Sequence, residues 1–166
     1  MKIYSKDSQT VFIPQSGLGF TLFEILLVFA LVATLALIVT PIYQQSSYRT
    51  KIDRTIADIK EIETAIENYY VDNGYKYPAS LTEINMNNKL DPWGHPYQYL
   101  NIASLPDKGN NPKTRKDKNL YPLNSDYDLY SMGEDGKTDL SLTSEVSEDD
   151  VIRANNGSYV GLGENY

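Results

Sequence analysis

The sequence predicts an α+β fold, with a long N-terminal α-helix packed on a small antiparallel β-sheet. Three observations point to it. Residues 20–42 form an apolar run of 23 residues with one ionised side chain, Glu24. Apolar residues then recur at helical spacing from Tyr48 to Tyr70. After Pro78 the pattern changes to short alternating segments bounded by turn residues.

Residues 1–19 are polar, carry Lys2, Lys6 and Asp7, and end in Ser16-Gly17-Leu18-Gly19 without an apolar stretch of their own. Residues 20–42 as a helix span about 34 Å, enough to cross a bilayer with some tilt. The run exceeds the roughly 7–15 apolar residues of a secretory signal peptide. Basic residues flank it on both sides (Lys2 and Lys6 before, Arg49, Lys51 and Arg54 after), so charge alone leaves the orientation open. Tyr48, Ile52, Ile56, Ile59, Ile62, Ile66 and Tyr69/Tyr70 define one helical stripe, with Arg54, Asp58, Lys60, Glu61, Glu63 and Glu67 opposite. Asn73-Gly74 predicts its end, with Pro78 beyond. Pro41 lies inside the pattern. It lacks an N–H and its ring clashes one turn back, so it is expected to kink or locally melt the helix, either as a tolerated membrane-edge proline or as a weak point.

Residues 81–84 predict a short helical turn packed on the stripe. Asp91-Pro92-Trp93-Gly94 predicts a turn and Tyr97-Gln98-Tyr99-Leu100 a strand. Residues 103–125 read as a polar loop with Lys108, Lys113, Arg115, Lys116 and Lys118. Residues 126–132 predict a second strand, 133–150 an acidic loop, and 151–166 a short strand plus tail. The 14 tyrosines are expected as amphipathic core and rim residues.

Composition excludes several chemistries. There are no cysteines, hence no disulfide, thiol nucleophile or thiolate-bound metal. The single histidine, His95, sits between Gly94 and Pro96 and reads as a structural residue. The chain contains no phosphate-binding glycine loop and no hydrolase signature, so no catalytic residues are expected. The net charge of −7 is concentrated in residues 126–166, where ten acidic side chains face only Lys137 and Arg153. That quarter repels nucleic acid and attracts cations.

Glu24 is the costly residue. A carboxylate at the centre of a membrane helix costs about 2.5–3.5 kcal/mol, and less near its edge. It either snorkels to the headgroups, protonates, or meets a cation from another copy of the chain. A cut after Gly19 would give Phe20 a new α-amine, which in a staggered bundle can reach a neighbour's Glu24.

The run Gly19-Phe20-Thr21-Leu22-Phe23-Glu24, followed by an apolar helix, resembles the class III signal of type IV pilins and type II secretion pseudopilins. The resemblance implies a type IV pilin-like fold. It also implies cleavage between Gly19 and Phe20 by a prepilin peptidase, N-methylation of Phe20, Glu24 as the assembly glutamate, and Pro41 where the helix breaks on assembly. The implied organisation is a leader (1–19), a transmembrane and assembly helix (20–42), and a periplasmic globular domain (43–166).

Residues 77–81 (Y-P-A-S-L), 91–100 (D-P-W-G-H-P-Y-Q-Y-L), 128–136 (D-L-Y-S-M-G-E-D-G) and 149–151 (D-D-V) resemble the major pseudopilin of type II secretion. Relative to that pattern, 103–125 looks like an insertion and 136–149 is longer than usual. The resemblance implies a homopolymer in a periplasmic filament that drives protein export. Its implied partners are minor pseudopilins, an inner-membrane assembly platform and the inner membrane itself, but no nucleic acid. It also implies a Ca²⁺ site with side-chain ligands Asp135, Asp149 and Asp150, and carbonyl ligands from Met132 and Lys137. Asp139 or Ser147 are possible substitutes in the longer loop. A solvated acidic loop without metal is the alternative. The rival functions are a type IV pilin or DNA-uptake pseudopilin, and a membrane-anchored calcium-binding protein that does not polymerise.

Overall fold

In the computed structural model, residues 19–107, 111–118 and 120–166 are described. Residues 1–18 of the expected leader 1–19, with Lys2, Lys6 and Asp7, lie outside them, as does Lys108. The chain divides into two units, Met1–Tyr43 and Gln44–Tyr166. One helix, α1 (Leu22–Asp72), runs through the division.

In the first unit every described residue is exposed, and α1 stays helical through Pro41. The expected melting is therefore absent from the isolated chain. Proline removes one N–H donor, which leaves one carbonyl of the ladder unpaired; the remaining turns of a long helix keep theirs. Thr40 beside it returns its own hydroxyl to the Ala36 carbonyl at 2.7 Å.

In the second unit α1 buries Ile52, Thr55, Ile59, Ile62 and Ile66. The predicted stripe is present, with one shift: Thr55 is fully buried and Ile56 is half-buried. Burial of Thr55 is tolerated because its hydroxyl donates to the Lys51 carbonyl at 2.8 Å. The helix stops at the predicted Asn73-Gly74. Asn73 returns its backbone and side-chain N–H groups to the Tyr69 carbonyl, both at 2.9 Å, and Gly74 adopts φ +68°.

A single 3₁₀ turn at Leu81–Ile84 follows and buries Leu81. Four strands make one antiparallel sheet in chain order: β1 (Gln98–Asn101), β2 (Tyr127–Ser131), β3 (Val151–Ala154) and β4 (Tyr159–Leu162). The first two lie within a residue of their predicted positions. The predicted tail after β3 is instead its hairpin partner, β4. Asn155, Asn156 and Gly157 take φ of 50°, 52° and 84°, and this left-handed turn reverses the chain. Asparagine and glycine are the residues that reach such angles at least cost.

Strand alternation gives the sheet two covered faces. Tyr127, Leu129 and Val151 pack with Tyr97 against the isoleucines of α1. Ile152 and Ala154 point the other way and pack with Leu123 and Leu142. The segment expected as a loose polar loop thus contributes to a second, smaller core. It is laced to the acidic segment by Lys116 N–H donating to the Leu140 carbonyl (2.9 Å) and Leu142 N–H donating to the Lys116 carbonyl (3.0 Å).

Polar links also join α1 to the sheet. Arg153 on β3 pairs with Glu63 at 2.6 Å and with Asp126 at 2.7 Å, and its guanidinium lies 4.0 Å from the Tyr127 ring centre. Lys89 bridges Asp58 and Glu61 on α1. The tyrosines act as expected. Tyr97 donates its hydroxyl to Asp58 at 3.0 Å and Tyr99 to the Pro78 carbonyl at 2.8 Å, with both rings packed inward.

Ile62 is fully buried at the centre of the α1 contact. Ile62→Ala should destabilise the protein by about 2–5 kcal/mol and Ile62→Val by about 1 kcal/mol. Thermal unfolding of the full chain in detergent micelles measures both. Equal midpoints for the two variants would contradict the packing described.

Candidate functional site

Two regions carry the residues singled out in the sequence, one at each end of the chain. At the N-terminal end Phe20 is 81% exposed, and the large apolar side chains that follow it are exposed without a covering partner. A contiguous apolar surface of this extent is rare on a soluble monomer and marks a membrane or protein contact. The segment is long and apolar enough to cross a membrane.

Glu24 has a partner within its own chain. Its carboxylate accepts the Thr21 N–H and the Thr21 hydroxyl, both at 2.8 Å, while Glu24 N–H donates back to Thr21 Oγ1 at 3.2 Å. Thr21 precedes the first residue of α1, so this is a capping box. Two of the orphan N–H groups at the helix start are satisfied reciprocally. The signal was present in the sequence as Thr21-x-x-Glu24 before an apolar run, and a reading of Glu24 as an isolated charge passes over it. The cap holds the carboxylate at the start of α1, beside Gly19 and Phe20, where the helix dipole favours negative charge.

At the C-terminal end the acidic loop is stitched by backbone donors. Asp149 Oδ2 accepts the N–H groups of Glu134 (2.7 Å) and Asp135 (3.1 Å), and Asp135 Oδ1 accepts that of Lys137 (2.8 Å). Gly133 sits at φ +63°, and a Cβ there would collide with the Asp149 carbonyl and carboxylate. Met132 precedes this turn. Ser147 clasps Asp139 by donating its hydroxyl to the Asp139 carbonyl (3.1 Å) and accepting the Asp139 N–H (2.9 Å). His95 is a structural residue, with Nδ1 3.0 Å from the Gly133 carbonyl, which makes Nδ1 the donor. Asp91 organises its turn by accepting the N–H groups of Trp93 (3.0 Å) and His95 (2.9 Å).

Asp150 departs from the expected ligand set. It is fully buried, and its Oδ2 accepts from Arg115 Nη2 at 2.5 Å and from Thr138 Oγ1 at 2.6 Å. Burial pushes its carboxyl pKa up, and Arg115 opposes that shift. Calcium takes six to eight oxygens around one point. Among the described residues no three acidic or histidine side chains converge in that way. Asp135 and Asp149 face backbone N–H groups, and Asp150 faces a guanidinium. The set Met132, Asp135, Lys137, Asp149 and Asp150, with Asp139 as substitute, therefore does not fit the ion as arranged. The residues that sequence reading overlooked here are Arg115 and Thr138. In the sequence Arg115 is one of several loop cations, and no local pattern pairs it with Asp150.

The chain is 31% identical over 140 residues to the type II secretion system core protein G of Pseudomonas aeruginosa, covering 72% of this chain and 84% of that protein. It is 27% identical over 140 residues to core protein G of Escherichia coli K12, covering 72% and 83%. A fimbrial protein of Neisseria meningitidis is 29% identical over 86 residues, covering 52% of this chain and 50% of that protein. No protein-family model and no solved structure matches the chain. An identity of 31% over 72% of the chain places it in the core protein G family of type II secretion systems, whose members are structural pilin-like subunits and not enzymes.

Proposed function

We propose that this chain is the polymerising subunit of a periplasmic type II secretion filament and that its N-terminal helix is the assembly element. The observation that carries the reading is the wholly exposed apolar start of α1, with a single carboxylate held at its first turn. Before assembly this segment anchors the chain once across the inner membrane, with residues 43–166 in the periplasm. A prepilin peptidase removes residues 1–19 and methylates the amine of Phe20. Subunits then leave the membrane and stack through residues 20–42, with the inner-membrane platform and minor pseudopilins as partners, and the growing filament drives export of folded proteins.

Electrostatics explains why one carboxylate is kept there. Cleavage beside Gly19 creates an α-amine four residues from Glu24. A neighbour's amine can meet the Glu24 carboxylate inside an apolar bundle, where the attraction is stronger than in water. A stagger that misses the contact leaves a buried unpaired charge, so the pair sets the axial register. Pro41 contributes a turn that lacks one helical hydrogen bond and can open as the segment moves from lipid to filament. The longer reach of the core protein G relatives along this chain supports the secretion branch over the fimbrial one.

Two measurements test this reading. Mass spectrometry of the membrane-extracted protein should find a mature N-terminus at Phe20 bearing one extra methyl group. An intact leader would instead support a simple membrane anchor. Glu24→Ala should still insert and be cleaved, yet give no filaments by electron microscopy of sheared cells. Filaments of normal abundance from that variant would sink the ion-pair argument.

A further inference from the structure

We propose that Arg115 serves as a built-in cation that closes the acidic loop, so that this globular unit holds shut without calcium. The inference rests on the globular unit alone and is independent of whether the subunits polymerise.

The loop between β2 and β3 crowds Glu134, Asp135, Asp139, Glu145, Glu148, Asp149 and Asp150, with Lys137 as its only cation. Mutual repulsion favours an open chain unless positive charge is supplied. No cysteine pair is available to clamp it. Arg115 supplies the charge from outside the loop. Its side chain is only 2% exposed and Asp150 is fully buried, so the contact is shielded from solvent. One guanidinium nitrogen reaches Asp150 Oδ2 at 2.5 Å and the other reaches Thr138 Oγ1 at 3.0 Å. Thr138 in turn donates to the same Asp150 oxygen at 2.6 Å. The guanidinium thus ties Thr138, early in the loop, to Asp150 at its end. A metal ion would do the same with one carboxylate and neutral oxygens.

The arginine is itself held in place. Its N–H donates to Asp128 on β2 at 3.0 Å, its carbonyl accepts from Leu123 N–H at 2.8 Å, and its guanidinium lies 4.1 Å from the Tyr130 ring centre. Arginine suits the role because it stays charged at every accessible pH and presents a rigid fork of donors. Among the described residues, Arg115 Nε and Asp150 Oδ1 are the two atoms of the pair without a hydrogen-bond partner. They are the donor and acceptor that a two-pronged contact uses. A divalent ion at Asp150 would instead sit against the guanidinium and be repelled. Arg115 belongs to the segment 103–125 that looked like an insertion, which gives that segment a purpose: it meets the acidic quarter of its own chain.

The test uses the full chain in detergent micelles, with unfolding followed by circular dichroism in calcium chloride and in EGTA. The wild-type midpoint should be the same in both. Arg115→Met should lower it by roughly 10 °C, because removal of one partner strands a buried charge, and should expose the loop to limited proteolysis. Should that variant fail to fold, Arg115→Met/Asp150→Leu, which removes both charges, should recover folding and most of the lost midpoint. A wild-type midpoint that rises by several degrees with calcium overturns the proposal. An Arg115→Met protein as stable as wild type, or a double variant no better than the single, overturns it equally.

Discussion

The contact between the isoleucine stripe of α1 and the inner face of the sheet supports the rest of the globular unit. Each strand is only four or five residues long. Strands of that length cannot hold a sheet by hydrogen bonds alone, because the exchange of water for a protein partner gains little net free energy. Ile59, Ile62 and Ile66 supply a rigid apolar wall, and their β-branched side chains lose little further freedom on packing. Tyr97, Tyr127, Leu129 and Val151 complete that core. A helix with this stripe must find a partner surface, and the four strands are that surface.

The same helix has a second demand placed on it. Its first half has no amphipathic face, since all sides are apolar and exposed. A surface of that kind is stable only in lipid or against equally apolar neighbours. The capping box of Thr21 and Glu24 adds the one charged side chain and puts it at the first turn, where the ladder has N–H groups to satisfy. The carboxylate is therefore compatible with two environments. It caps its own helix in the single chain, and under the proposed assembly it would face a neighbour's amine.

Charge in the globular unit follows a rule of its own. Arg153 and Arg115 are both almost fully buried; Arg153 meets two carboxylates and Arg115 meets one, and each guanidinium has an aromatic face against it. Arg153 ties α1 to the sheet through Glu63 and Asp126, and Arg115 ties the acidic loop to the segment that covers the outer face. A buried guanidinium is tolerated only when a carboxylate pairs with it, and breaking such a pair strands a buried charge. An acidic, cysteine-free domain can in this way close its loops with internal cations.

What the amino-acid sequence determined by itself is whatever is written in local periodicity or in a short string. The apolar run of residues 20–42, the stripe from Tyr48 to Tyr70, the stop at Asn73-Gly74 and the turn at residues 91–94 each depend on neighbours a few positions apart, and all match the structure save that Thr55 is buried ahead of Ile56. The Gly19–Glu24 string and the D-P-W-G block carried the family in the same local way. β4 stands where a tail is expected although its turn, Asn155-Asn156-Gly157, is written in the sequence, because Gly161 inside the strand interrupts its alternation. Only the tertiary structure decided the pairing of charges. Arg115 meets Asp150 across 35 positions and Arg153 meets Glu63 across 90. Such pairs leave no periodic trace, since which of many surface-type residues becomes buried depends on how the layers close. For the same reason a run of acidic residues reads as a metal site in one dimension, while the arginine that meets its last carboxylate comes from another segment.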